Sequence, residues 1–236
     1  MHDKTTPALH SEQHFQQSDL VRDVVIGMAD GLTVPFALAA GLTGVVNSNE
    51  IIITAGIAEI AAGSIAMGLG GYLAGKTEIE HYDSELRREY HEVEHFYEKE
   101  KEEVREVFAA YGLSPATQNL VADEIAEDKD KWVHFMMKYE LGLDQPDARR
   151  ARNSALNIGL AYVVGGIVPL SAYFFTNIPF EGLLYSSVIT VLCLMVFGYF
   201  KAKFTGQRPL SGAIKITGIG VIAAAAAFGI ATLISQ

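Results

Sequence analysis

Five long apolar segments dominate the chain, and one strongly polar segment separates the second from the third. Runs of about 20 apolar residues, long enough to cross a bilayer as a helix, occur at 24–46, 51–75, 153–175, 182–200 and 213–234. The pattern predicts an all-α protein in four parts. These are an N-terminal tail (1–23), spans one and two (24–75), a polar insert (76–152) and spans three to five (153–236).

The composition agrees with a membrane protein. Half of the 236 residues are apolar and the mean hydropathy is +0.20, which is unusual for a soluble domain. The first 20 residues are polar, so we expect no cleaved signal peptide. The only cysteine, Cys193, excludes an intrachain disulfide and a thiolate metal cluster.

The lysines and arginines predict an orientation. Twelve of the 18 lie in the insert, and four more, Lys201, Lys203, Arg208 and Lys215, surround the connection between spans four and five. The connections at 47–50 and 176–181 carry none. By the positive-inside rule, the N-terminus and the insert face the cytosol and the C-terminus lies outside.

The insert has the pattern of a small helical domain. Residues 76–110 contain no Gly or Pro, and apolar side chains recur at spacings of three, four and seven, which predicts one unbroken amphipathic helix. Gly112 ends it, Ser114 and Pro115 begin a second helix to about residue 128, and apolar positions at 132–143 mark a third. We therefore predict a cytoplasmic three-helix domain.

Carboxylates are concentrated on the first helix of the insert, which as a whole holds 20 of the 28 acidic residues. Acidic residues spaced to share one helix face suit a divalent cation that prefers oxygen ligands; they are Glu85, Glu89, Glu92, Glu100 and Glu103. A solvated acidic face balanced by neighbouring arginines and lysines explains the same pattern.

The third helix offers a thioether beside a carboxylate. Met136 and Glu140 are four residues apart, and this ligand pair favours a transition metal such as Fe(II) over Mg²⁺ or Ca²⁺. Met136 also lies on the apolar stripe with Trp132 and Phe135, where it would simply fill the core.

Two carboxylates lie within the apolar spans. Asp30 in span one and Glu59 in span two each carry an insertion penalty of about 2.5–3.5 kcal/mol, so each needs a cation, a proton or a water-filled path. Helix geometry places Met67 at nearly the depth of Asp30, and Glu59 about two turns further out. A transport path at a dimer interface follows, because five spans leave little room for a pore. A polar pair that only fixes helix packing is the alternative.

Long motifs in the chain resemble the vacuolar iron transporter family. The resemblance covers nearly the whole chain and is carried by RD at 22–23, DGLTVPF at 30–36, AEIAAG at 58–63, MGLGGYLA at 67–74 and FMMKYELGL at 135–143.

The resemblance implies a non-enzymatic homodimer of five-span subunits that exports Fe(II), often also Mn(II), in exchange for protons, with no prosthetic group and no nucleic-acid partner. It implies a transport path at positions matching Asp30 and Met67, with Glu59 nearby. It also implies metal collection in the cytoplasmic domain by the residues matching Glu89, Glu92, Glu100, Glu103, Met136 and Glu140.

The predicted unbroken helix conflicts with one shared metal cluster. On such a helix the pair Glu89 and Glu92 would lie about 16 Å from the pair Glu100 and Glu103. Either a turn is hidden between them, or the pairs serve separate metals or different subunits.

Several other functions are compatible with the sequence. A manganese exporter of the same fold would carry the same residues, and an acidic scaffold would only buffer metal. A membrane di-iron oxidase would need metal at His81, His91 or His95, but the two Glu-x-x-His pairs lie 14 residues, or about 21 Å, apart on one helix. The host membrane is either the cell membrane of a prokaryote or the vacuolar membrane of a eukaryote.

Overall fold

The computed structural model describes residues 19–235, and every regular element within that range is helical. The elements are α1 (Asp19–Thr43), α2 (Asn49–His95), α3 (Tyr97–Ala110), α4 (Pro115–Ala126), α5 (Lys129–Tyr139), α6 (Arg150–Ser171), a 3₁₀ turn (Ala172–Phe175), α7 (Pro179–Phe204) and α8 (Pro209–Ile234). The predicted all-α fold is confirmed. The predicted N-terminal tail lies almost entirely outside the described residues.

Five helices are long and apolar enough to cross a membrane: α1, α2, α6 with its 3₁₀ turn, α7 and α8. The prediction of five spans is confirmed. The helices begin two to five residues before the apolar runs, and α1 ends at Thr43, three residues before the end of its run. The largest difference is in α2, which has 47 residues. Its apolar part, 51–75, corresponds to predicted span two, and its polar remainder, 76–95, continues the same helix.

The chain divides into two compact units. The first, the membrane unit, contains the described residues up to Leu69 and from Ser154 onward, and the second, the insert unit, contains Gly70–Asn153. The helices of the two units are packed in different ways.

Close helix packing in the membrane unit depends on glycine. A Cβ atom on Gly31 of α1 would lie 2.4 Å from the backbone oxygen of Tyr162 on α6. A Cβ atom on Gly63 of α2 would lie 2.4 Å from the Tyr162 hydroxyl oxygen. Because neither glycine has a side chain, α1 and α2 both approach α6 around Tyr162, as expected where small residues line helix contacts.

The insert unit is built around one apolar core. Its buried side chains come from all four helical segments of the unit; they include Tyr82 and Val93 of α2, Val104 of α3, Ala122 of α4, and Trp132, Val133, Met136 and Met137 of α5. The Ser114 hydroxyl accepts from the Thr117 amide at the start of α4, and the Asp128 carboxylate accepts from the Lys131 amide at the start of α5. The predicted starts of these two helices are therefore correct to within a few residues.

One predicted element of the insert is wrong. The expected unbroken helix at 76–110 is two helices, α2 and α3, separated by Phe96, whose φ of −126° and ψ of 36° are not helical. The insert unit therefore has four helical segments rather than three.

The break at Phe96 has a physical cause in the core. Val93 before it and Val104 after it are both buried on the same core, and the Tyr97 ring contacts Trp132 edge-on with centroids 5.1 Å apart. Burial of both valines around one tryptophan outweighs the local preference for a continuous helix, since helix propensity is worth well under 1 kcal/mol per residue.

Candidate metal sites

The break at Phe96 brings together glutamates that a straight helix would keep apart. One carboxylate oxygen each from Glu89, Glu92 and Glu100 lies within 4.8 Å of the others. Glu89 and Glu92 come from α2, and Glu100 comes from the first turn of α3. The expected separation of about 16 Å is wrong because it assumed an unbroken helix. The hidden turn, one of the alternatives left open, is present. We call these three residues the glutamate cluster.

Two members of the glutamate cluster are deeply buried. Glu89 is 1% exposed and Glu100 is fully buried. Within residues 19–235, Oε2 of Glu89 and both carboxylate oxygens of Glu100 have no hydrogen-bond partner. Buried carboxylate oxygens are normally satisfied by donors or by a cation. The cluster therefore has free oxygen ligands pointing at a small volume.

Two basic side chains flank the glutamate cluster but do not donate hydrogen bonds to its buried oxygens. The Arg88 guanidinium lies 2.6 Å from Glu85, 4.0 Å from Glu89 and 3.7 Å from Glu92. Lys99 Nζ lies 3.8 Å from Glu100 and 2.7 Å from Glu103. Both side chains are more than half exposed, so they offset part of the negative charge from the solvent side.

The cluster holds protons unusually tightly. Burial, followed by the charges of Glu140, Glu100 and Glu92, raises the pKa of Glu89 to about 7. Burial, followed by the charges of Glu103 and Glu92, raises the pKa of Glu100 to about 7. Protons and a divalent cation therefore compete for the same oxygens near neutral pH.

The remaining predicted ligands surround the cluster at different distances. Glu103 lies close enough to Glu100 to raise its pKa and is paired with Lys99. Glu140 follows α5 and raises the pKa of Glu89, while burial, followed by the charges of Glu103 and Glu92, raises the pKa of Glu140 itself. Glu103 and Glu140 therefore lie within electrostatic range of the cluster, whereas only Glu89, Glu92 and Glu100 have oxygens within 4.8 Å of one another.

Met136 occupies a different environment. Its side chain is fully buried in the apolar core of the insert unit with Trp132 and Val104. The core-filling interpretation of Met136 thus has direct support, and its role as a metal ligand stays a prediction.

Histidine takes no part in the cluster. Among residues 19–235, the one group of three or more His, Cys, Asp or Glu side chains able to hold an ion consists of glutamates. His91 and His95 stack on each other with ring centroids 4.1 Å apart, and His95 Nδ1 contacts the backbone oxygen of His91. His81 lies 3.8 Å from Glu85. This arrangement gives no support to a di-iron oxidase.

In the membrane unit, the structure adds a residue that sequence analysis missed. The hydroxyl of Tyr162 on α6 donates a 2.5 Å hydrogen bond to Oε1 of Glu59 and lies within electrostatic range of Asp30. Tyr162 is 2% exposed, whereas Asp30, Glu59 and Met67 are each partly exposed. The signal in the sequence was a phenol in an apolar span flanked by Gly159 and Gly165, since a buried phenol requires a polar partner.

The membrane unit also contains a buried carboxylate that the sequence did not mark as a site residue. Asp23, near the start of α1, is 1% exposed and accepts a 3.2 Å hydrogen bond from the Ser154 hydroxyl. It joins α1 to α6 near the ends of both helices, and we interpret it as a structural contact.

Comparison with known proteins gives extensive matches. A family model described as the VIT family matches residues 21–232. The chain is 51% identical over 227 residues to vacuolar iron transporter 1 of Tulipa gesneriana, with 96% of this chain and 92% of that protein covered. It is 48% identical over 227 residues to vacuolar iron transporter 1 of Arabidopsis thaliana, with 96% and 91% covered. It is 36% identical over 227 residues to Protein CCC1 of Saccharomyces cerevisiae, with 91% and 69% covered.

Proposed function

This chain belongs to the VIT family, and from that premise we propose that it exports Fe(II), with Mn(II) as a second ion, from the cytosol in exchange for protons. At the coarser level it is a membrane iron transporter and not an enzyme, in keeping with relatives named as vacuolar iron transporters and with its five long apolar helices. The ion preference, the exchange for protons and the direction are the proposed parts.

The glutamate cluster is the observation that carries the proposal. Three carboxylates within 4.8 Å, two of them buried with free oxygens, form an all-oxygen donor set. Such a set suits Mn(II) and other hard divalent ions, and it also accepts Fe(II). We propose that the cluster, with Glu103 and Glu140 beside it, collects the ion from the cytosol, and that Met136 contributes selectivity for iron.

We further propose that Asp30 and Met67 receive the ion in the membrane. A carboxylate and a thioether form a mixed donor pair that favours a transition metal. Glu59 then serves onward passage or proton exchange, and its hydrogen bond to Tyr162 supports the second role, because a phenol beside a carboxylate provides a proton relay.

A homodimer with the path at its interface completes the proposal. Near Glu59, the α2 helix exposes a strip of alanines that includes Ala58, Ala61, Ala62 and Ala66. Small residues of this kind allow two helices to approach closely in a bilayer. The bilayer would be a vacuolar membrane in a eukaryote, as the names of the relatives suggest, or the cell membrane of a prokaryote. The N-terminus and the insert face the cytosol in this proposal, and the C-terminus lies outside.

Flux into proteoliposomes tests the function directly. We expect uptake of Fe(II) and Mn(II), little uptake of Zn(II) or Ca(II), and release of protons from the lumen during uptake. Asp30→Asn should abolish metal uptake, and Glu59→Gln should reduce the coupled proton movement. The matched control is Glu50→Gln, because Glu50 is exposed in the first turn of the same helix as Glu59.

The possible outcomes separate the alternatives. Undiminished Fe(II) uptake by Asp30→Asn would remove Asp30 from the path, and proton coupling that survives Glu59→Gln would remove Glu59 from the proton route. Uptake of Mn(II) without Fe(II) would identify a manganese exporter. Binding without any flux would identify a metal-buffering scaffold.

A further inference from the structure

A basic cavity lies in the membrane unit between the end of α7 and the start of α8. Its volume is about 280 Å³, and its polar lining comes from six residues: Lys201, Thr205, Gln207, Arg208, Ser211 and Lys215. None of the described residues that line it is an aspartate or a glutamate. A volume at the lower limit for small-molecule sites suits one compact charged group.

The three cations of the cavity are not paired with acidic residues in the part of the chain that the structure describes. Among residues 19–235, no carboxylate lies within ion-pair distance of Lys201, Arg208 or Lys215. Three unpaired positive charges around one volume repel each other, and an anion between them would relieve that repulsion. The positive-inside rule accounts for basic residues at this connection, but it does not require them to converge on a cavity.

The helices are built to hold this arrangement. A Cβ atom on Gly198 of α7 would lie 2.8 Å from the Gly212 backbone oxygen, and one on Gly212 would lie 2.3 Å from the Ala202 Cβ. This close contact places Lys201 of α7 and Lys215 of α8 on either side of the cavity. Helix α8 begins without a side-chain cap at Pro209, which has no amide hydrogen, and the Gly212 amide donates to the Arg208 backbone oxygen. The Leu210 and Ser211 amides of the first turn are therefore the ones available as additional donors.

The surroundings favour a lipid as the source of the anion. Exposed apolar side chains flank the cavity: Phe200 is 48% exposed, Leu210 is 73% exposed and Ile214 is 69% exposed. Such side chains near the end of a membrane helix contact acyl chains, and basic pockets between membrane helices bind acidic lipid head groups.

We propose that this basic cavity binds a phosphate-bearing anion, supplied by an acidic phospholipid of the surrounding bilayer. Lys201, Arg208 and Lys215 contact the phosphate oxygens, and the Ser211 hydroxyl and the first-turn amides of α8 donate to them. The site is separate from metal transport and does not depend on the proposed cargo.

Native mass spectrometry of the full-length protein in detergent tests the proposal. The probes are phosphatidic acid, phosphatidylglycerol, phosphatidylcholine and inorganic phosphate. We expect one molecule of either acidic lipid to be retained in preference to phosphatidylcholine. Lys201→Gln and Lys215→Gln should each weaken retention about fivefold, as expected for loss of one basic residue near a lipid surface.

Lys203→Gln is the matched control. Lys203 lies in the last turn of α7 and carries the same charge, but it does not line the cavity. Acidic lipid should raise the melting temperature of the wild type and of Lys203→Gln, but not that of the double variant Lys201→Gln/Lys215→Gln. This second readout distinguishes lost binding from lost folding, because each variant is also melted without lipid.

Inorganic phosphate identifies the source. Competition by phosphate would support one site for both forms of the group. If the protein retains inorganic phosphate but neither acidic lipid, the anion site would be supported, and the proposal that a lipid supplies the anion would be overturned. Equal retention of phosphatidylcholine, or an equal loss in Lys203→Gln, would overturn the proposal.

Discussion

The Glu100 side chain shows how the charge of one residue depends on its neighbours. It is fully buried, its two carboxylate oxygens lack hydrogen-bond partners within the described chain, and Glu103 and Glu92 add negative potential. Lys99 offsets this potential only from 3.8 Å. A protonated Glu100 and a metal-bound Glu100 are both more favourable than a bare carboxylate at this position.

This residue-scale chemistry predicts an unusual dependence of stability on pH. Since the pKa values of Glu89 and Glu100 are raised from 4.5 to about 7, the folded metal-free protein binds these two protons more tightly than the unfolded chain does. Stability of the metal-free protein should therefore fall as the pH rises from about 4.5 to about 7. Saturating Mn(II) should stabilise the protein more at pH 8 than at pH 6, because fewer protons compete at the higher pH.

Emission from Trp132 measures this prediction, since it is the only tryptophan and is buried in the core of the insert unit. The double variant Glu89→Gln/Glu100→Gln should lose both the pH dependence and the effect of Mn(II). Glu106→Gln, at an exposed position on α3, is the control and should keep both. Equal stabilisation by Mn(II) in wild type and in the double variant would place the metal elsewhere.

At the scale of elements, contacts between helices decide what local patterns do not. The insert helix was predicted without a break because its sequence lacks Gly and Pro between Val93 and Lys99. Tyr97, directly after the break at Phe96, packs against Trp132 on α5, a contact that is remote in sequence. The start of α4 was predictable because Ser114 is a local capping residue. The third helix was predicted from its apolar positions, and the structure shows that Asp128 caps its start.

Replacing a glycine by alanine should have opposite effects on stability at the contact between α1 and α6 and at an open position on α8. A Cβ atom on Gly31 would meet the Tyr162 backbone at 2.4 Å, so Gly31→Ala should separate the helices and displace the Tyr162 hydroxyl from Glu59. Overpacking of this kind destabilises by about 1–3 kcal/mol. Gly218→Ala on α8 should be neutral or slightly stabilising, because a Cβ atom there meets nothing within 4 Å and alanine favours the helix.

Thermal unfolding of the two variants in detergent, followed by loss of the monodisperse peak in size-exclusion chromatography, measures the difference. Gly31→Ala should melt several degrees below the wild type and should also transport Fe(II) more slowly. If both variants melt together with the wild type, the α1–α6 contact does not limit stability.

At the scale of the whole molecule, the hydropathy pattern predicted the fold more completely than the polar residues predicted the candidate sites. Five spans followed directly from the apolar runs, because a bilayer imposes a fixed length on each helix. The residues of the candidate sites were harder to place. Asp30 and Glu59 stood out as charges in apolar segments, but Tyr162 did not, since its importance comes from the helices that pack around it.

The proposed division between a collecting cluster and a membrane path predicts a kinetic difference. Removing charge from the cluster should weaken capture of the ion without altering its later movement, whereas removing charge from the path should slow the movement itself. In proteoliposomes, Glu89→Gln/Glu100→Gln should therefore raise the KM for Fe(II) by about a hundredfold or more at an unchanged maximum rate, since two ligand contacts to a charged group are lost and each is worth about 1.5–3 kcal/mol. Asp30→Asn should instead reduce the maximum rate to the level of protein-free vesicles.

The control for this split is Glu106→Gln, which removes one carboxylate from an exposed position on the same helix as Glu100. Its KM should match the wild type if the three-dimensional grouping of glutamates, rather than the overall acidity of the insert, collects the ion. An equal rise in KM for Glu106→Gln would mean that the insert acts through its total charge, which ionic strength would then screen. A fall in maximum rate for the cluster variant would instead make the glutamate cluster part of the transport step.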